Sequence, residues 1–266
     1  MRLDVRSNAP VLLAVAIMVV LLATPLALLL GLSAESGLLD AFHDPAFLAS
    51  VGLTVLGATA AGLLAIGLGT PAAYGISRGL VRGPLRAVVE ALIAAPLTVP
   101  HVVAGIAILI TFSPISPLYP LLGGFRVFGT FLGLTMAFFF VSSPIYVSAL
   151  KESVTKSDIR LELAARALGS SPTRTFLRIV VPSLRGSILE SFLLSWARSM
   201  SEFGSVAILT YFVVGLPFFN YVPPSSVFVW NAYQVSGLFV ALRYAGALLL
   251  ISILPLVGLQ ALRRRR

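Results

Sequence analysis

Among the polar side chains in the run SILESFLLSWARSMSEFGSVAILTYF, six form a series: Ser187, Ser191, Ser195, Arg198, Glu202 and Ser205. They recur every three or four residues, so a helix gathers them on one face. Leu189, Leu193, Trp196, Met200, Phe203 and Ala207 fall largely away from it. The serines have no base paired with them, so nucleophilic catalysis is not indicated. Arg198 and Glu202 offer electrostatics instead. A lone charge near mid-membrane costs roughly 2.5–3.5 kcal/mol on insertion scales, so both must face a neighbouring helix or a watery path rather than lipid. Two roles fit: a pair that holds helices together, or a charged element beside a route for a solute.

A second stretch, ALIAAPLTVPHVVAGIAILI, carries Pro96, Pro100 and His101. Each proline removes a backbone donor, and a helix break at membrane depth is tolerated only beside protein or a cavity. Such breaks mark transport sites in some proteins and simple kinks in others. His101 can titrate, or it can be a satisfied buried histidine. With His43 it makes two histidines, too few for a histidine-rich metal site, and the absence of cysteine excludes disulfides, thiolate metal sites and iron–sulfur clusters. ATP chemistry is excluded too. A Walker A loop needs a Gly-Lys-Ser/Thr, and the sole Lys-Ser pair, Lys156-Ser157, follows Thr155.

These residues must be positioned by membrane helices. The 266 residues are 58% hydrophobic and 11% charged, against about 25% charged for a soluble domain. Stretches of about 20 apolar residues cross a bilayer, and the pattern predicts six: Pro10–Gly31, Phe47–Tyr74, Arg86–Phe112, Gly129–Leu150, Gly186–Val213 and Ser236–Leu262. The first is too long for a cleaved signal and reads as a retained helix. Gly57, Ala61, Ala65 and Gly69 make a small-residue stripe for close helix packing. The whole chain, 1–266, reads as one all-α transmembrane domain.

In a six-span layout, sixteen of the nineteen basic residues fall on one side, including Arg2, Arg6, Arg78, Arg82, Arg86 and Arg263–Arg266. The opposite 34–46 loop has Glu35, Asp40 and Asp44 and no Lys or Arg. The positive-inside rule then predicts cytoplasmic termini, with the final arginines anchored at lipid headgroups. The charge of +9 is thus a topology signal, and no nucleic-acid partner is implied.

One sizeable polar loop remains, about residues 151–185. Ser157 or Asp158 can cap a helix that Gly169 ends, and Ser171-Pro172 can start another. On the first helix Ile159, Leu163 and Ala167 share a face, and Glu162 and Arg166 are spaced for an i,i+4 pair. On the second, Phe176, Leu177, Val180 and Val181 are apolar and Arg174 and Arg178 basic. Helices this short need a surface to dock on. That surface is either the chain's own bundle or a cytoplasmic partner.

The segment ELAARALGSSPTRTFLRIVVP resembles the EAA loop of ABC-importer permeases, although Leu163 stands where that family commonly has glutamate, with Glu162 one position earlier. LGTPAAYGISR, PLTVPHVVAGIAILI and SWARSMSEFGSVAILTYF resemble the molybdate/tungstate branch, and sulfate permeases have a similar Gly-Glu-Phe-Gly. The resemblance covers roughly residues 48–212. It implies the ABC importer permease fold in a prokaryotic cell membrane, with no catalysis by the chain itself. It implies a homodimer, two ATPase subunits that hold ATP and Mg on the cytoplasmic side, and an extracytoplasmic oxyanion-binding protein. On this likeness Glu162, Ala164, Ala165, Arg166, Gly169 and Ser170 meet the ATPase subunit. Pro96, Pro100, His101, Ser195, Arg198, Glu202 and Gly204 lie along the translocation path. A sulfate or thiosulfate permease is the nearest alternative. A secondary transporter would need no docking arm and commonly shows internal repeats.

Overall fold

The computed structural model describes residues 9–122 and 125–264, and its regular structure is helical throughout. Among the described residues the only β-type pairing is an isolated bridge between Val213 and Val222. The helices are α1 (Ala9–Glu35), α2 (Pro45–Leu64), α3 (Thr70–Ser77), α4 (Gly83–Ala94), α5 (His101–Thr111), α6 (Tyr119–Leu122) and α7 (Phe131–Lys156). There follow α8 (Arg160–Ala167), α9 (Pro172–Thr175), α10 (Val181–Ser183), α11 (Arg185–Met200), α12 (Gly204–Leu209), α13 (Ser225–Ser236) and α14 (Leu238–Arg264).

Three continuous helical stretches are long and apolar enough to cross a membrane: Ala9–Glu35, Pro45–Ser77 and Phe131–Lys156. The other three expected spans depart in instructive ways. The third bends by 114° between Gly83–Leu97 and His101–Thr111. Pro96 and Pro100 lack the donors that would carry the ladder across, and Pro100 takes an extended ψ of 134° before α5. The fifth breaks after α11 at Ser201–Phe203, where Ser201 Oγ turns back to the Arg198 carbonyl at 2.9 Å. The sixth is α14, with Leu238–Ile253 a shorter apolar helix by composition. Helix α13 was not expected. Its start signal, Pro223-Pro224-Ser225, stands in plain view.

The backbone contacts divide the chain into two compact units. One comprises Met1–Leu48 and Val229–Ile251. Within it Ser33 Oγ donates to the Leu242 carbonyl at 2.7 Å, and Gly246 leaves no room for a Cβ, which would lie 2.4 Å from Ser33 Cβ. Most of α1's apolar side chains are otherwise exposed, from Val11 to Leu28, as lipid contact requires.

The other unit comprises Ala49–Phe228 and Ser252–Arg266 and holds both polar clusters of the candidate site. Its centre is α7, whose Leu134, Phe138, Tyr146, Leu150 and Val154 are fully buried. The small-residue stripe packs there. A Cβ on Gly57 would lie 2.9 Å from Leu134, and one on Gly69 would lie 2.8 Å from Tyr146. Two π-turns, Ala65–Gly69 and Phe176–Val180, each end two residues before a proline, Pro71 and Pro182. A missing proline N–H is a recognised reason for the ladder to widen locally.

Candidate functional site

Two polar clusters stand out. The first lies where the bent third span meets the broken fifth. Glu202, in the turn between α11 and α12, has no exposed side-chain surface. Its Oε1 accepts both the backbone N–H and the hydroxyl of Ser205 at 2.9 Å, which closes the start of α12. Its Oε2 lies 2.9 Å from Arg198 Nη2 and 2.8 Å from His101 Nδ1. Arg198 Nη2 is also 2.9 Å from His101 Nε2. A guanidinium only donates and a carboxylate only accepts. Arg198 Nη2 also lies 3.0 Å from His101 Nδ1, so the guanidinium meets both ring nitrogens as well as the carboxylate. Ser226 Oγ donates to the Glu202 carbonyl at 2.7 Å, so the turn is held from α13 as well.

Close backbone approach makes this meeting possible. A Cβ on Gly204 would lie 2.8 Å from His101 Cβ, and one on Gly105 would lie 2.7 Å from the Ser205 carbonyl. Glycine at both positions lets α5 and α12 touch. The burial is graded: Glu202 is sealed, Arg198 is 22% exposed and His101 is 43% exposed. A basic pair thus faces outward over a hidden carboxylate.

The structure therefore brings together His101, Arg198, Glu202 and Gly204, with Pro96 and Pro100 at the bend that presents His101. Ser195 is elsewhere. It is fully buried, its hydroxyl given to the Phe192 carbonyl at 3.2 Å. Ser191 is buried too, so much of the serine face of α11 is packed inside this chain.

The second cluster is the arm. Asp158 Oδ1 accepts the Arg160 amide at 2.9 Å and opens α8, while Ser157 ends α7. Gly169 adopts φ +84°, with its N–H bonded to Arg166 and that of Ser170 to Ala165, both at 3.0 Å. That is the Schellman termination. Ser171 then caps α9 through the Arg174 amide. Leu161, Leu163 and Leu168 are 60%, 57% and 89% exposed. Ala164, Arg166 and Gly169 are exposed beside them, and Ala165 and Ser170 partly so.

Glu162 departs from expectation. Its carboxylate goes to Arg78 rather than to Arg166: Oε1 receives Arg78 Nε at 3.0 Å and Nη2 at 2.6 Å, and Oε2 receives the Tyr74 hydroxyl at 2.9 Å. Arg78 contributes to the sequence reading only as loop charge. Its partner lies 84 positions away, and no local spacing signals such a pair.

Residues 65–266 match the family described as the binding-protein-dependent transport system inner membrane component. The chain belongs to that family. Relatives of this permease include the molybdate/tungstate transport system permease protein WtpB of Thermococcus kodakarensis, 31% identical over 69% of this chain and 71% of that one. The probable transport system permease protein NifC of Clostridium pasteurianum is 30% identical over 78% and 73% of the two chains. A probable sulfate transport system permease protein, cysT of Prototheca wickerhamii, is 32% identical over half of each. The permease fold is shared with a chain from the crystal structure of a bacterial alginate ABC transporter in complex with alginate pentasaccharide-bound periplasmic protein. The TM-score is 0.66 at 14% identity, with 98% of this chain and 95% of that chain covered.

Proposed function

We propose that this permease forms the membrane pathway of an ATP-driven importer for tetrahedral oxyanions, with tungstate and molybdate as its substrates. The observation that carries the reading is the junction of His101, Arg198 and Glu202. A divalent oxyanion crossing a low-dielectric region is trapped by bare positive charge and repelled by bare negative charge. Arg198 and His101 in front of a buried Glu202 moderate both. The naming of three relatives at 30–31% identity as molybdate/tungstate permeases supports this choice of ion.

In this reading two copies of the chain pair about a two-fold axis, and two ATPase subunits holding ATP and Mg dock from the cytoplasm. An extracytoplasmic oxyanion-binding protein delivers the ion, and the chain crosses a prokaryotic cell membrane several times with both termini in the cytoplasm. The exposed face of α8, with Ala164, Ala165, Arg166, Gly169 and Ser170, is the seat for the ATPase subunit. Pro96 and Pro100 let α5 move against α4, while Ser195 supports the pathway helix from behind. The reconstituted complex should contain two copies of this chain by native mass. Its ATP hydrolysis should rise with tungstate- or molybdate-loaded binding protein more than with sulfate-loaded protein. Stronger stimulation by sulfate would replace the assignment with a sulfate permease.

A further inference from the structure

Of the eight residues of α8, only Glu162 is buried. Its leucines face outward, so this helix scarcely rests on its own bundle through apolar contact. Its one buried side chain turns a carboxylate inward, and that carboxylate is held by Arg78 and Tyr74. The pair is sheltered, with side chains 11% and 9% exposed. Arg78 also reaches the corner before α8, with Nη2 donating to Ser157 Oγ at 2.8 Å. Tyr74, one turn earlier in α3, bonds Glu162 and packs at a tilt against Phe176 beyond α9, with ring centroids 5.0 Å apart. Ser77 Oγ donates to the Lys151 carbonyl at 3.1 Å. The end of α3 thus grips the arm at its entry, its middle and its exit. Higher up, Thr70 and Tyr146 share a 2.7 Å hydrogen bond that fixes α3 to α7.

We propose that Arg78 is a positioning residue that transmits movement of α8 to the membrane helices, with Glu162 as the inner end of that joint rather than the contact to the ATPase subunit. An apolar interface slides, since its contacts are non-directional. A sheltered, charge-assisted multidentate pair holds direction as well as distance. A pull on α8 therefore becomes a pull on α3 and, through Thr70 and Tyr146, on α7. The proposal rests on the importer reading for the source of the pull, though not on which ion is carried.

The test uses the complete transporter in liposomes with tungstate-loaded binding protein. Arg78→Ala should leave the ATPase subunits co-purifying in the parental ratio, and hydrolysis without binding protein within about twofold. Tungstate moved per ATP should fall at least about fivefold. The swap Arg78→Glu with Glu162→Arg should recover at least half of the loss, which general destabilisation would not allow. The absence of native cysteine permits a second readout. A spin label on Val103→Cys, one per copy, should report an ATP-dependent distance change across the dimer in the parent, and little in Arg78→Ala. Parental transport per ATP in Arg78→Ala, loss of co-purification, or an unchanged distance response would each overturn the proposal. A parent that shows the distance change but carries neither tungstate nor molybdate counts against the ion assignment alone.

Discussion

Glu202 shows what a single residue discloses in sequence and what it withholds. Its spacing from Arg198 is visible as an i,i+4 pair, and an apolar surrounding demands that both be satisfied. The third member, His101, lies 97 positions from Arg198 and enters only because the chain bends between Pro96 and Pro100. The serines mislead in part. Their periodicity is real, but periodicity identifies a polar face without saying whether it meets a path or another helix, and Ser191 and Ser195 are buried in this chain. The geometry supports a graded prediction. Removing one partner of a buried ion pair typically costs about 3–5 kcal/mol. Arg198→Ala should sit near the low end, because His101 and Ser205 still hold Glu202. Arg198→Ala with Glu202→Gln should recover most of the stability lost by Arg198→Ala. Transport is then compared at matched folded protein. If both variants carry tungstate at the parental rate, the junction only joins helices and takes no part in the pathway.

At the scale of elements, start and stop signals were the most legible feature. Ser171-Pro172 opens a helix and Gly169 closes one, because a proline at the first turn sacrifices no bond and glycine adopts the left-handed conformation without a Cβ clash. The π-turns were not legible, since local sequence does not say how a ladder will absorb Pro71 or Pro182. Gly169 isolates the effect of backbone conformation: nothing lies within 4 Å of where its Cβ would be. Gly169→Val should therefore act only through φ, at a strain of roughly 1–2 kcal/mol. It should weaken co-purification of the ATPase subunit several-fold, while Gly169→Asn retains it. Equal retention in both would remove the left-handed turn from the docking argument.

The Asp44 turn allows a pH prediction. Burial acts to raise its carboxyl, but the Tyr244 hydroxyl, the Ala46 and Phe47 amides and Arg243 outweigh it and hold it below the usual range. A depressed folded value means stabilisation that is present above the unfolded value of about 3.9 and is lost as pH falls through the folded one. The difference in thermal midpoint between parent and Asp44→Asn should be constant near neutrality and shrink below about pH 4. A difference that stays constant well below that point would show that the Tyr244 contact does not depend on the charge.

For the whole molecule, composition and the six apolar stretches identify a polytopic helical protein, while the broken spans show where length counting loses resolution. A span of 20 residues can hide a 114° bend, because hydropathy averages over a break of a few residues. Charge carries a second signal that such breaks do not disturb. Lys and Arg are retained on the cytoplasmic side during insertion, and the count over short loops sets orientation. Here the 34–46 segment has no Lys or Arg, whereas 151–185 has seven. The chain's lack of cysteine makes the consequence directly measurable. Leu39 is 72% exposed in the first segment and Thr173 is exposed in the second, so each can be replaced by cysteine without disturbing a buried contact. In intact cells a membrane-impermeant maleimide should label Leu39→Cys and leave Thr173→Cys untouched; in inverted vesicles the pattern should reverse. The same orientation is required for α8 to meet an ATPase subunit at all, since ATP is supplied from the cytoplasm. Labelling of Thr173→Cys from outside intact cells would therefore overturn the topology and the coupling assignment together, whatever ion the permease carries.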